Sequence, residues 1–366
     1  MLYSSYFCGK KMILLNFYRN VALSSSLPST LDIAQCSEGY AVVELRVNDK
    51  LIYSATLFAD DNERVSVYDF RKLVEDYMVA YGYSHVSLMV TADMGLGIER
   101  LDSPLVVVFS RIRTSYERDA DFLDCYFLTS RNSGFFTFND SFNLYFYRTE
   151  DNDSVDGYVA FTGRNANGDT ASFTESFSFS SSNKGWVYRY IDLPGLQLSI
   201  DRQATGFTLV GGSIHIGKRS FSFFISPENP AYSFDYINGF NVWERMLVFG
   251  STTLKTECSA KEAVCSGMTS FYDREVTRKY EVTTRAMTLS EARHFNDFLT
   301  SNRILFIIPP DQDYDVLISD ITSEISDNAT EKVRMKFSWR FADNTDWRTF
   351  SDSKEVFNTV FRDAFS

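Results

Sequence analysis

The strongest constraint on this chain is a period-two alternation, clearest in "EKVRMKFSWRFAD" at residues 331–343. Val333, Met335, Phe337, Trp339 and Phe341 fall on one side of that segment, and Arg334, Lys336, Ser338 and Arg340 on the other. Successive side chains of a strand point to opposite faces, so the pattern predicts one dry face and one cationic face. The same alternation recurs in "AVVELRV" (41–47), "LIYSATLF" (51–58), "SFNLYFYR" (141–148) and "ASFTESFSFS" (171–180). Polar turn clusters such as "NANGD" and "SSSNKG" separate these runs. Short alternating runs between such turns predict a mainly β protein, built of antiparallel β-sandwich or barrel domains with a few short helices.

At 366 residues the chain exceeds one ordinary domain. It divides into three expected units: 1–112, a β domain with one helix; 113–250, an aromatic-rich sandwich; and 251–366, a β domain with a capped helix and a C-terminal helix. The 33 Phe and 21 Tyr suit strands, and they supply large buried areas.

Three helices are predicted. In the first, Asp69 caps Phe70, Leu73, Val74, Tyr77 and Tyr81, and Gly82 ends the run. In the second, "TLSEARHFNDFL", Thr288 and Glu291 form a capping box, with Leu289, Ala292, Phe295 and Leu299 along one face. The third is the tail, where Val356, Phe357, Val360, Phe361 and Ala364 make an apolar stripe that needs a docking surface.

The stretch "GGSIHIGKRS" contains the spacing of a phosphate-binding loop, from Gly212 to Gly217-Lys218. Such a loop is followed by a helix whose N-terminus holds phosphate. Here Ile214 and Ile216 alternate as in a strand, "SFSFFI" follows, and Arg219 stands where a magnesium-binding hydroxyl is needed. The stretch therefore reads as a hairpin. The histidines at 85, 215 and 294 are isolated, and no metal-spaced pattern accompanies them, so neither metal nor cofactor is expected. His294, beside the stripe of the capped helix, is expected to be structural or at the surface. A Ser-His-Asp triad assembled from distant residues has no sequence sign in its favour. Five cysteines, at 8, 36, 125, 258 and 265, read as free thiols.

The formal net charge of −12 argues against tight DNA binding, because phosphate contacts need clustered Lys and Arg. The N-terminal "MILLNFY" is too short for a membrane helix and makes a poor signal peptide. Trp186, Trp243 and Trp339 sit in strand patterns and are expected in cores. Trp347 is the candidate exposed aromatic.

The stretch "YSFDYINGFNVWERMLVFGSTTLKTE" (232–257) carries Asn238-Gly239-Phe240-Asn241 and then Glu244. With "EVTTRAMTLSEARHFNDFLTSNRILFI" and "VLISDITSEISDNATEKVRMKFSWRFAD", it resembles tail and baseplate structural proteins of tailed bacteriophages and prophages, those of the distal tail above all. The resemblance covers about residues 230–345. It implies a non-enzymatic virion component, assembled in a bacterial cytoplasm into a homo-oligomeric ring that contacts other tail proteins. The interface is expected at Arg334, Lys336, Arg340, Trp347, Val356, Phe357, Val360 and Phe361. The alternative is a carbohydrate-binding or adhesin-type β-sandwich, supported by the aromatic excess; glycan contact belongs to that reading.

Overall fold

A computed structural model describes residues 13–15, 21–34, 36, 38–93, 98–100, 105–116, 118–148, 154–180, 185–265, 267–308, 312–322 and 332–343. Trp347 and the tail stripe Val356, Phe357, Val360 and Phe361 lie outside the described residues. The fold is mainly β, as expected.

The first part holds β1 (Ile13–Leu15), β2 (Val21–Leu23), β3 (Leu31–Ala34), β4 (Tyr40–Val47), β5 (Lys50–Phe58), β6 (Arg64–Val67), α1 (Phe70–Ala80), β7 (His85–Asp93), β8 (Ile98–Arg100) and β9 (Leu105–Val108). One sheet runs β2-β9-β7-β4-β5, with β8 on β7; a second runs β1-β3-β6. On β4 the alternation buries Ala41, Val43, Leu45 and Val47 completely. Helix α1 adds Phe70, Val74 and Met78 to that core. The expected Asp69 cap is corrected: Asp69 takes φ 54, and its side chain makes no capping bond. The C-terminal end behaves as predicted. With Gly82 at φ 68, its N–H bonds Val79 O (3.2 Å) and the Tyr83 N–H bonds Met78 O (2.8 Å), a Schellman pair.

The second part holds α2 (Asp119–Cys125), β10 (Ser133–Phe136), β11 (Ser141–Arg148), β12 (Ser154–Asn165), β13 (Thr170–Ser180), β14 (Gly185–Asp192), α3 (Leu193–Gln203), β15 (Phe207–Ile216) and β16 (Arg219–Ile225). A five-stranded sheet, β10-β16-β15-β12-β13, faces the β11-β14 pair across a core rich in phenylalanine. The pairings β10–β16 and β2–β9 are parallel, so the sheets are not antiparallel throughout. "GGSIHIGKRS" is the expected hairpin: Ile216 pairs with Arg219 across Gly217-Lys218, with Gly217 at φ 57. Arg219 turns inward. Its Nε donates to Leu123 O at 3.0 Å, and its Nη2 donates to Leu123 O and to Tyr147 O at 2.9 Å. Burial drags this guanidinium down to about 10, against the pull of Asp124. The residue that spoils the phosphate loop thus fastens the end of α2 to the sandwich.

The third part holds β17 (Tyr232–Ile237), β18 (Trp243–Val248), β19 (Gly250–Cys265), β20 (Met268–Thr284), α4 (Leu289–Leu299), β21 (Ile304–Ile308), β22 (Gln312–Thr322) and β23 (Lys336–Phe341). They form one sheet, β18-β17-β21-β22-β23-β20-β19. The expected boundary at 250 falls inside this sheet. β17 pairs with β21 (Phe234↔Phe306, Tyr236↔Ile304), so the third hydrophobic core takes in Phe234, Tyr236, Met246 and Val248. Val333, Met335, Phe337 and Trp339 are buried, as the alternation predicts, whereas Arg334 and Lys336 are exposed and Arg340 is half-buried. Ser338 departs from the pattern. It is buried because β23 is an interior strand, with Glu281 of β20 and Ser319 of β22 on either side.

The capping box of α4 is present: Glu291 N donates to Thr288 Oγ1 at 3.3 Å, and Thr288 N to Glu291 Oε2 at 2.7 Å. Thr288→Ala should cost about 1 kcal/mol, measured as a shift in the urea unfolding midpoint; an unchanged midpoint would show the cap to be idle. A fourth core, formed by Val21, Leu23, Val108, Leu123, Leu128, Tyr147, Phe240 and Val242, joins all three parts.

Candidate functional site

Beside that junction lies a buried polar cluster. Its parts come from three places. Residues 129–131 follow α2, the turn 238–241 joins β17 to β18, and α4 contributes His294 and Asp297. The turn is built by asparagines. Asn238 Oδ1 accepts from Phe240 N (2.9 Å), Asn241 N donates to Asn238 O (2.9 Å), and Asn241 adopts φ 58, which its short polar side chain tolerates. The turn leads straight into β18 and carries Glu244 toward the interior.

Glu244 is the centre of the cluster. Arg131 Nε lies 2.8 Å from its Oε1, and the two side chains are only 12% and 10% exposed. Thr129 Oγ1 lies 3.0 Å from both carboxylate oxygens, and Asn238 Nδ2 donates to Oε2 at 2.9 Å. Burial pushes the carboxyl up, but Arg131, His294, Asn238 and Thr129 outweigh it and hold Glu244 below the usual carboxylate range. His294 is buried, with Nδ1 2.7 Å from Ser130 Oγ and Nε2 3.3 Å from the Tyr236 hydroxyl and 3.5 Å from Glu244 Oε1. Burial, reinforced by the Arg131 charge, lowers its pKa to about 3 despite Glu244. Asp297 accepts from Gly239 N at 3.3 Å and its Oδ2 lies 3.3 Å from Ser130 Oγ, while burial lifts its carboxyl.

Ser130, His294 and Glu244 lie in the order of a nucleophile, a base and an acid. Serine exposure adds to the likeness, since Ser130 is exposed. The electrostatics point elsewhere. An efficient base has a pKa near the working pH, and His294 is three units or more below neutrality. A neutral imidazole that accepts from Ser130 and turns its other nitrogen to Glu244 is suited to fastening. It ties the 129–131 segment to α4 and β18. Among the described residues, no group of three or more His, Cys, Asp or Glu could hold a metal ion.

The interface residues expected from sequence are elsewhere. Arg334 and Lys336 stand exposed on one face of the last strand and its approach, and Arg340 lies further along that face. Trp339 is in the core, as expected, with the Tyr280 ring stacked on it at 4.3 Å. Trp186 and Trp243 are only half-buried, against expectation: Trp186 stacks on His85 of the first part at 5.3 Å, and Trp243 lines a surface cleft. Arg131 and Asp297 were missed altogether. The available signal was an acid inside the apolar run "VWERMLV" and a histidine beside a helical stripe. Each is a polar group that has to find a partner, but neither names the partner.

Compared with known protein families and with curated proteins, the chain matches no family model and no characterised sequence.

Proposed function

We propose that the chain is a non-enzymatic structural subunit that assembles with copies of itself and with other virion proteins, in the tail or baseplate of a tailed phage or prophage. The observation that carries this reading is the β19–β20 ribbon. Its strands pair from Gly250↔Thr284 out to Cys265↔Met268, yet β20 pairs with β23 only over residues 280–283. Beyond that point roughly 35–40 Å of ribbon projects with no other strand of the described residues paired to it. Every residue from Gly250 to Val264 is exposed, and Val264 and Met268, near the tip, are each 73% exposed.

A two-stranded ribbon on its own is marginally stable in water, and an open edge strand is a template for pairing. Docking on a partner supplies both the missing cover and the missing strand. Over residues 250–284 five basic residues (255, 261, 274, 278, 279) offset five acidic ones (257, 262, 273, 275, 281), so the ribbon is neutral on a chain of net charge −12. A neutral element can approach an acidic copy without the repulsion that separates the bodies. The resemblance to tail proteins covers the sheet from which the ribbon grows. The described residues hold no helix long and apolar enough to cross a membrane.

Light scattering with negative-stain images tests the reading: discrete rings or large closed oligomers are expected. Replacing residues 254–279 with an Asn-Gly turn should abolish them and leave the body folded. A wild-type protein that stays monomeric at high concentration, with or without the other tail proteins, would overturn the proposal. The exposed cationic residues give a separate prediction. Arg334→Glu combined with Lys336→Glu should weaken assembly, with about 0.5 kcal/mol or less of change in folding stability. Unaltered oligomer mass would remove that face from the interface.

A further inference from the structure

The pairing of β11 with β14 puts Tyr145 opposite Tyr188, Asn143 opposite Tyr190 and Tyr147 opposite Trp186. Their neighbours Phe142, Leu144, Phe146, Val187 and Ile191 point the other way, into the sandwich core. The outer face is therefore an aromatic platform. One end is closed, because Trp186 stacks on His85 and Tyr147 enters the junction core. The other end is open, with Tyr188 57% and Tyr190 52% exposed. There the platform borders a cleft of about 130 Å³, whose far wall is formed by Asp235, Trp243 and Arg245 of β17 and β18.

We propose that this cleft binds one pyranose ring of a glycan, with Tyr190 and Tyr145 against the sugar's C–H face and Asn143, Asp235 and Arg245 reaching its hydroxyls. Three features select this ligand class. The first is size: an opening of about 130 Å³ beside the platform admits one ring laid against the aromatic face and is too small for a strand or helix. The second is charge. The lining carries two carboxylates and two guanidiniums, and they are paired with one another: Arg245 Nε lies 2.8 Å from Asp235 Oδ1, and Arg131 Nε 2.8 Å from Glu244 Oε1. Asp140, 3.9 Å from Arg245, tips the balance slightly to the acid side. An anionic ligand finds no free cation in that lining, whereas a neutral polyol finds donors and acceptors together. The third is the wall chemistry. Aromatic faces beside a few fixed polar groups are what an amphiphilic ring requires, since the π-face is electron-rich and the polar groups set orientation. The proposal is independent of the assembly reading.

Saturation-transfer NMR on the full chain, with glucose, galactose, mannose and N-acetylglucosamine in turn, tests it alongside a printed glycan array. Transfer to the ring protons of at least one sugar, and array hits sharing that sugar, are expected. Tyr190→Ala should weaken binding by about tenfold, and Tyr190→Phe, which keeps the face, should retain most of it. Because Tyr190 is half exposed, both variants should keep the parent circular dichroism spectrum and melting temperature. Silence for all four sugars together with a blank array overturns the proposal, as does full affinity in Tyr190→Ala. A Tyr190→Ala variant that alters oligomer mass while no sugar binds would assign the cleft to a protein neighbour instead, and that too overturns it.

Discussion

Arg131→Ala should lower the unfolding free energy by about 3–5 kcal/mol, the range for removing one partner from a buried ion pair. The size follows from what is left behind. Glu244 keeps its burial and loses the cation 2.8 Å from its Oε1, and Arg131 Nη2 no longer caps the Arg245 carbonyl, which it meets at 3.1 Å. Thr129 and Asn238 still donate to the carboxylate, but neutral donors do not cancel a buried charge. Urea denaturation measures the loss directly. Arg131→Met combined with Glu244→Leu should cost less than Arg131→Ala alone, because the second change removes the stranded charge. A double variant as unstable as the sum of its single variants would show that the pair is not coupled and that Arg131 acts by packing alone.

Acid should destabilise the protein well before its carboxylates titrate. His294 has a folded pKa near 3, against about 6.5 when unfolded. Between those values the unfolded chain binds the proton and the folded chain does not, so stability is full above about pH 6.5 and falls as pH falls. At about 1.4 kcal/mol per pH unit, the drop from pH 6.5 to 4.5 is roughly 2–3 kcal/mol, and on the order of 5 kcal/mol by pH 3. The upper half of the window is the cleaner one. Glu244, held low by Arg131 and its donors against burial, adds its own loss once pH falls into the ordinary carboxylate range and continues to lose below it. Asp297, lifted by burial, acts with the opposite sign, and His85, lowered by burial, with the same sign. The measurement is therefore a difference: unfolding free energy against pH for wild type and for His294→Gln. The variant should lose stability at pH 7 and show a much shallower slope from pH 6.5 to 4.5. Parallel slopes would mean that His294 titrates normally and that the cluster is open to water.

These two effects arise from contacts that no local pattern displays. The alternation on β4 and β23, the capping box of α4, the glycine end of α1 and the hairpin in "GGSIHIGKRS" were all legible, because each rests on forces acting within a few residues: side-chain alternation, a cap reaching three positions along, a left-handed turn. The failures have the same origin. Asp69 looked like a cap by residue type, yet its backbone is left-handed and its side chain makes no capping bond. The sheet runs across the boundary expected at 250 because strand pairing, which no spacing encodes, carries β17 to β21 across some 70 residues. Ser338 read as solvent-facing, and being an interior strand residue buried it.

By itself, then, the sequence determined the class of the fold, most of its described strands, the caps and turns that bound α4, and the β15–β16 hairpin that stands where the phosphate-loop spacing occurs. Tertiary structure alone decided that Arg131 meets Glu244 across 113 positions and Ser130 meets His294 across 164. It also decided that Trp186 and Trp243 line a seam and a cleft, and that the β19–β20 ribbon leaves its sheet. The physical reason is that a strand's faces follow from its own residues, while the neighbour it meets depends on the free energy of the whole chain; a buried charge or an uncovered edge becomes visible only once that neighbour is known.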